Sequence, residues 1–266
     1  MQIPFYSGSA YKFLSIESFQ LIIKNETLRF TRGDSFNDPF ESNPFLVPID
    51  WKDLVKEDKS NIEMIKIIAD EAFKRLFSKI YVNCFSSNYL NKESQLMWSH
   101  YANSHRGVCF EIIFPEVNQD NYKEKDIVPI SVTYCDDLYV ERQNWTMESE
   151  HLPLYLATYK SNIWKYEEEI RLVLHSEVID KEKFTVINTG KNADTVFNIE
   201  SITKVIFGVK SSPEDIESIV KLFCEKGHLP VFYRIDLNPI TLQFVEYELP
   251  HKKNILEHNK TTPNTR

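Results

Sequence analysis

Along the chain, short apolar runs that alternate with polar residues recur between stretches in which apolar residues return every third or fourth position. The first period predicts strands and the second predicts helices. Residues 15–24 carry Ile16, Phe19, Leu21, Ile22 and Ile23 at helical spacing, with Ser15 as N-cap, Glu17 in the first turn and Asn25 at the end. Residues 27–31 alternate as a strand with Leu28 and Phe30 facing inward, and Gly33-Asp34 breaks it. The segment Phe36-Asn37-Asp38-Pro39-Phe40-Glu41 reads as a turn centred on Asp38-Pro39 and anchored by its two phenylalanines. A helix is expected over 62–79, burying Ile65, Ile68, Ala72, Phe73, Leu76 and Phe77, followed by a strand over 80–86.

A further helix is expected over 93–104, stopped by Gly107, before the apolar strand 108–114, which Pro115 ends. Beyond it the pattern predicts a strand at 130–134, a helix-like stretch at 152–161, a strand at 164–174 and another at 201–209. Pro213 opens a helix to Lys226, and strands follow at 231–236 and 241–249. Many short strands with a few helices, without regular βαβ alternation, imply an α+β fold with a mixed, largely antiparallel sheet and flanking helices. Residues 1–250 read as a single globular domain, and the polar stretch 251–266 reads as a flexible tail.

Composition narrows the class. Of 266 residues, 42% are hydrophobic and 13% aromatic, enough for a substantial core, while the net charge of −8 opposes non-specific binding to a phosphate backbone. No apolar run approaches the ~18 residues that a membrane helix needs, and no signal-like leader is visible, so a cytoplasmic protein without membrane attachment is expected. The four cysteines, Cys84, Cys109, Cys135 and Cys224, are scattered without a C-x-x-C pair and read as inert buried thiols. Nothing in charge or composition selects an oligomeric state or a partner.

Candidate chemistry concentrates in two blocks. In Trp164-Lys165-Tyr166-Glu167-Glu168-Glu169-Ile170-Arg171-Leu172-Val173-Leu174, strand alternation puts Ile170, Leu172 and Leu174 on one face and Glu167, Glu169 and Arg171 on the other. Two carboxylates two residues apart repel unless a cation or a ligand hydroxyl relieves them, and Arg171 is the local cation. The alternatives are a reactive site and a Glu-Arg ladder. In Leu96-Met97-Trp98-Ser99-His100-Tyr101-Ala102-Asn103-Ser104-His105-Arg106-Gly107, helical geometry puts Gln95, Trp98, Ala102 and His105 on one stripe and Met97, Tyr101 and Ser104 on the next. His100 and His105 diverge, so no metal site is expected there.

Four blocks taken together, Tyr11-Lys12-Phe13, Leu28 through Glu41, Met97 through Gly107, and Trp164 through Arg171, resemble the bacterial domain-of-unknown-function family numbered 2971. Glu167, Glu169 and Arg171 match its W-x-x-E-x-E-x-R pattern, with Trp164 at its head. More remotely, the layout looks like a divergent ADP-ribosyltransferase. That resemblance implies a strand bearing Tyr11 or Lys12, a second element at Thr31-Arg32 and a closing strand with the Glu167/Glu169 pair. It implies NAD as substrate, with Glu169 stabilising an oxocarbenium-like transition state and Glu167 activating the acceptor. Arg29, Arg32 or Lys12 would bind the pyrophosphate, Trp98 or Tyr101 would stack on a ring, and Tyr11, His105 and Arg171 complete the ligand-binding set. Asn37, Asp38 and Trp164 are expected in structural roles. The acceptor is open, and a toxin or defence role is an expectation from such standalone domains.

Two other classes compete with this one. A non-catalytic nucleotide- or ligand-sensing module would use the same residues as a polar pocket. A metal-dependent nuclease would use Asp38, Glu41, Glu167 and Glu169 as magnesium ligands, against the absence of a basic track.

Overall fold

A computed structural model gives the fold and describes residues 3–36, 63–64, 67–68, 71, 74–75, 77–78, 80–118, 121–122, 127–136, 158–175, 184–187 and 190–250. In chain order the named elements are β1 (Gly8–Leu14), α1 (Ile16–Asn25), β2 (Thr27–Arg32), β3 (Ile80–Ser86), α2 (Ser94–Tyr101) and β4 (Val108–Phe114). They continue with β5 (Val128–Ser131), β6 (Thr133–Cys135), β7 (Tyr159–Ser161), a 3-10 helix (Asn162–Glu167), β8 (Glu169–His175), β9 (Phe184–Ile187) and β10 (Asn192–Val196). The last are β11 (Ile202–Phe207), α3 (Pro213–Lys226), β12 (Val231–Asn238) and β13 (Gln243–Glu248). The class is α+β.

The chain divides into two compact units, each assembled from separate stretches. The first comprises Met1–Ser7, Leu28–Cys84 and Glu116–Thr195, and the second comprises Gly8–Thr27, Phe85–Pro115 and Val196–Arg266. In the first unit the strands run in the order β5, β8, β3, β2, β10, β9, and β6 pairs with β7 in a separate parallel ribbon. Strand β8 lies antiparallel to β5, from Val128 opposite Val173 to Ser131 opposite Ile170. Ile80, Val82, Ile130 and Val173 form its core with Ile3 and Phe77. Strand β8 is covered on both faces: Glu169 and Arg171 are as deeply buried as Ile170, Leu172 and Leu174. The face that carries Glu169 and Arg171 is therefore buried, as is the apolar one.

In the second unit the strand order is β13, β12, β11, β4, β1. Helices α1 and α3 cover one face, where Phe19 stacks on Phe110 with ring centroids 5.2 Å apart and Phe223 meets Phe232 edge-on at 6.0 Å. Each such fully buried phenylalanine is worth about 1.5–3 kcal/mol of burial. Ser15 caps α1 by accepting from the Ser18 N–H, and Ser212 and Asp215 form a capping box at α3 with Pro213 in the first turn. Strands β11 and β12 are parallel, so α3 is a crossover helix, a βαβ unit that the expectation of an irregular order left out.

Several boundaries differ from expectation. Helix α2 ends at Tyr101, because Asn103, Ser104 and His105 take left-handed φ values of 47°, 54° and 69°. Gly107 does not terminate it; a Cβ there would lie 2.1 Å from the Leu14 carbonyl oxygen, so the glycine permits a close backbone approach. The expected strand over 130–134 is split at Val132 into β5 and β6, and residues 159–161 are strand where helix is expected. Ile68, expected to face inward, is 61% exposed. The Asp38-Pro39 turn, with Asn37 and Glu41, and the tail 251–266 lie outside the described residues.

Candidate functional site

The Glu-rich block begins as a 3-10 turn. Glu168 then takes a left-handed conformation, φ 42° and ψ 50°, and β8 starts at Glu169. This kink, and not strand alternation, brings Glu167 and Glu169 to the same cation. Lys160 of β7 donates to Glu167 Oε2 at 2.5 Å and to Glu169 Oε2 at 2.9 Å. Arg171 donates from Nε to Glu169 Oε1 at 2.8 Å and from Nη2 to Oε2 at 3.1 Å. Among the described residues, two carboxylates thus meet two cations.

Neutral surroundings complete the network. The Glu169 N–H donates to the Tyr134 hydroxyl at 2.8 Å, the Arg171 guanidinium lies 5.4 Å from the Phe36 ring centre, and the Lys160 ammonium lies 5.2 Å from that of Trp164. Burial alone would raise the Glu169 pKa, but Arg171 and Lys160 outweigh it, with the Cys84 thiol also bonded to the carboxylate, and hold it well below the usual carboxylate range. Cys84 is exposed, unlike the inert buried thiol expected. Glu167 is 4% exposed, Glu169 5% and Arg171 1%. Such a network is a rigid, ionised strut, and breaking it would leave a buried charge unpaired.

The other candidates from the first unit pair locally. Arg29 grips Asp194 through two bonds of 2.9 and 3.2 Å, and Arg32 Nε bonds Asp34 at 2.6 Å. Asn37 and Asp38 lie outside the described residues. Among the described residues no group of three or more His, Cys, Asp or Glu is placed to hold a metal ion, and no helix is long and apolar enough to cross a membrane.

A second polar cluster lies in the second unit, on the sheet face opposite α1 and α3. Tyr11 of β1 donates to Glu111 Oε1 at 2.8 Å, and its ring centre is 4.5 Å from that of Tyr89. A bulge between Ile202 and Lys204 places both Thr203 and Lys204 beside Glu111, and Thr203 donates to Glu111 Oε2 at 2.7 Å. Lys204 donates to the Tyr89 hydroxyl at 2.6 Å and to both Glu246 oxygens at 3.0 and 2.9 Å, while Tyr89 donates to Glu246 Oε2 at 2.6 Å. The Lys204 ammonium stands 4.0 Å from the Tyr233 ring centre. Burial would raise the Glu111 pKa, but donors from Thr203, Ser9 and Tyr11 and the Lys204 charge bring it below the ordinary value.

Of the expected ligand residues here, Trp98 is fully buried, donates to the Tyr89 carbonyl at 2.9 Å and meets Phe13 edge-on, so it is a core residue and not a stacking platform. Tyr101 is 40% exposed. Lys12 points to the other face, its ammonium 5.1 Å from the Phe85 ring centre. His105 ends the left-handed run; its Nδ1 is buried without a hydrogen-bond partner, and burial followed by the Lys210 charge lowers its pKa.

A family model described as a protein of unknown function, DUF2971, matches residues 97–172. Over this stretch the chain is similar to the DUF2971 family. The match takes in Met97 through Gly107 and the charged block from Trp164 to Leu172, whereas Tyr11-Lys12-Phe13 and Leu28 through Glu41 lie outside it. No curated protein and no solved structure matches the chain.

Lys160, Tyr134, Tyr89, Glu111, Lys204, Tyr233 and Glu246 are residues that the sequence reading missed. Glu111 and Lys204 carried a signal, each being a lone charge inside an apolar strand, VCFEIIF and ITKVIF. Lys160 carried none, because its partners come from a separate turn.

Proposed function

We propose that this protein is a non-catalytic module that binds a small ligand, taken up on the tyrosine-lined face of the second unit. The observation that supports this reading most is the commitment of Glu167 and Glu169 to Lys160 and Arg171. A carboxylate that stabilises an oxocarbenium ion must present a lone pair to the ribose, and one that holds magnesium must present it to the metal. Lys160 and Arg171 already occupy both oxygens of Glu169. The second-unit face, by contrast, offers partly exposed hydroxyl, ammonium and carboxylate groups beside aromatic rings, the mixture that small-molecule sites use.

One observation favours a second reading, the NAD-using transferase or glycohydrolase. Cys84 is exposed and bonds to Glu169, so the network has an edge facing solvent. For a ribose hydroxyl to reach Glu169 from that edge, Lys160 would have to let go. The test is saturation binding, followed by tyrosine and tryptophan fluorescence, with NAD, ADP-ribose and organic cations, each recovered afterwards and analysed by mass spectrometry. A saturable ligand recovered unchanged is the expected result; a ligand consumed by the protein overturns the binding-module reading.

A further inference from the structure

We infer that Tyr89, Tyr233 and Glu246 form a cation site for an organic ammonium, of which Lys204 is the resident internal occupant. The inference rests on the binding-module reading and names its ligand class. The Lys204 ammonium lies 4.0 Å from the Tyr233 ring centre and 4.9 Å from that of Tyr89, and it bonds to both Glu246 oxygens. A ring face from Tyr233, the Tyr89 hydroxyl and a carboxylate around one ammonium are elements by which proteins recognise amines.

The local charge selects the class of ligand. Among the described residues, Glu111, Glu246 and Glu248 contribute three carboxylates to this cluster beside the ammonium of Lys204. Such a face attracts amines and repels phosphates, which separates its ligand from the nucleotides that the sequence suggests. The occupant is also replaceable. The Lys204 side chain is 17% exposed and Glu246 25%, and a lysine stem is long enough to swing its ammonium into solvent while the bulge at Thr203 holds its backbone.

A tethered occupant competes with any free amine at an effective concentration in the millimolar range. Removing the charge while keeping the stem, as in Lys204→Met, should tighten binding of n-butylammonium and spermidine by about tenfold. Calorimetric titration of wild type, Lys204→Met and Lys204→Met/Glu246→Gln, with adenosine monophosphate as control, tests this. The expected result is weak binding to wild type, tighter binding to the first variant, loss in the second and no response to the phosphate. A folded Lys204→Met protein that binds neither amine overturns the cation site. A response to adenosine monophosphate alone overturns the ligand class but leaves the binding module standing, whereas nicotinamide release from NAD by wild type overturns the module reading itself. Should Lys204→Met not fold, reductive methylation of wild type supplies the readout. The Lys204 methyl resonances should be shifted by the tyrosine rings and return to ordinary positions on adding n-butylammonium; unmoved resonances overturn the proposal.

Discussion

Replacing Glu169 by Gln changes one charge in a buried cluster and almost nothing in shape. Among the described residues Lys160 and Arg171 pair with Glu167 and Glu169, so Glu169→Gln removes the carboxylate that both cations share, with Arg171 1% exposed. Removing one partner of a buried ion pair costs about 3–5 kcal/mol. The amide keeps one acceptor oxygen for Arg171, which places the expected loss nearer the lower figure. At about 2–4 °C per kcal/mol for a protein of this size, the thermal midpoint should fall by roughly 6–12 °C. Urea unfolding followed by tryptophan fluorescence and circular dichroism gives the free energy directly. The pH dependence carries a separate signature. The folded pKa of Glu169 lies below its ordinary 4.5, so its stabilisation is present above that pH and is lost progressively as pH falls further. Glu169→Gln should remove that part of the acid sensitivity. A Glu169→Gln protein within about 0.5 kcal/mol of wild type, with an unchanged acid limb, would refute the strut and return the carboxylate to the catalytic role that the resemblance implies.

His105 has a lowered pKa, so neutral imidazole is favoured in the fold and stability should decline as pH drops below 6.5; His105→Gln should flatten that limb in thermal unfolding between pH 7 and 5. Gly107→Ala drives a Cβ to within 2.1 Å of the Leu14 carbonyl oxygen and should cost about 3 kcal/mol or more, read as a shift of the urea midpoint; a loss under 0.5 kcal/mol would mean the crossing relaxes freely.

Local chemistry explains which elements were legible. Strands β3 and β4 coincide with their predicted spans because Pro115 and the flanking turn residues close long apolar runs, and α3 is bounded by Ser212-Pro213 and Gly227. Strand β1, GSAYKFL, lacks a clean alternation and is a strand through pairing with distant β4, and β10, NADTV, reads as a polar loop but pairs with β9 in a hairpin and lies beside β2. In the candidate sites, the convergence of Glu167, Glu169 and Arg171 was foreseen, although a left-handed Glu168 produces it. The partners that decide their chemistry were not, because Lys160 belongs to a ribbon strand with no periodic signal. On the other sheet face, Tyr89, Lys204 and Glu246 are brought together across more than 100 residues of chain. Long-range pairing of this kind leaves no trace in a local pattern.

The most direct test of the account is nicotinamide release from NAD by purified wild type and by Glu169→Gln, with the fold of both verified by circular dichroism. If Glu169 is a structural counter-ion, neither protein releases nicotinamide and the variant differs only in stability. Release by wild type that disappears in a folded Glu169→Gln protein would contradict the account and make Glu169 a catalytic residue.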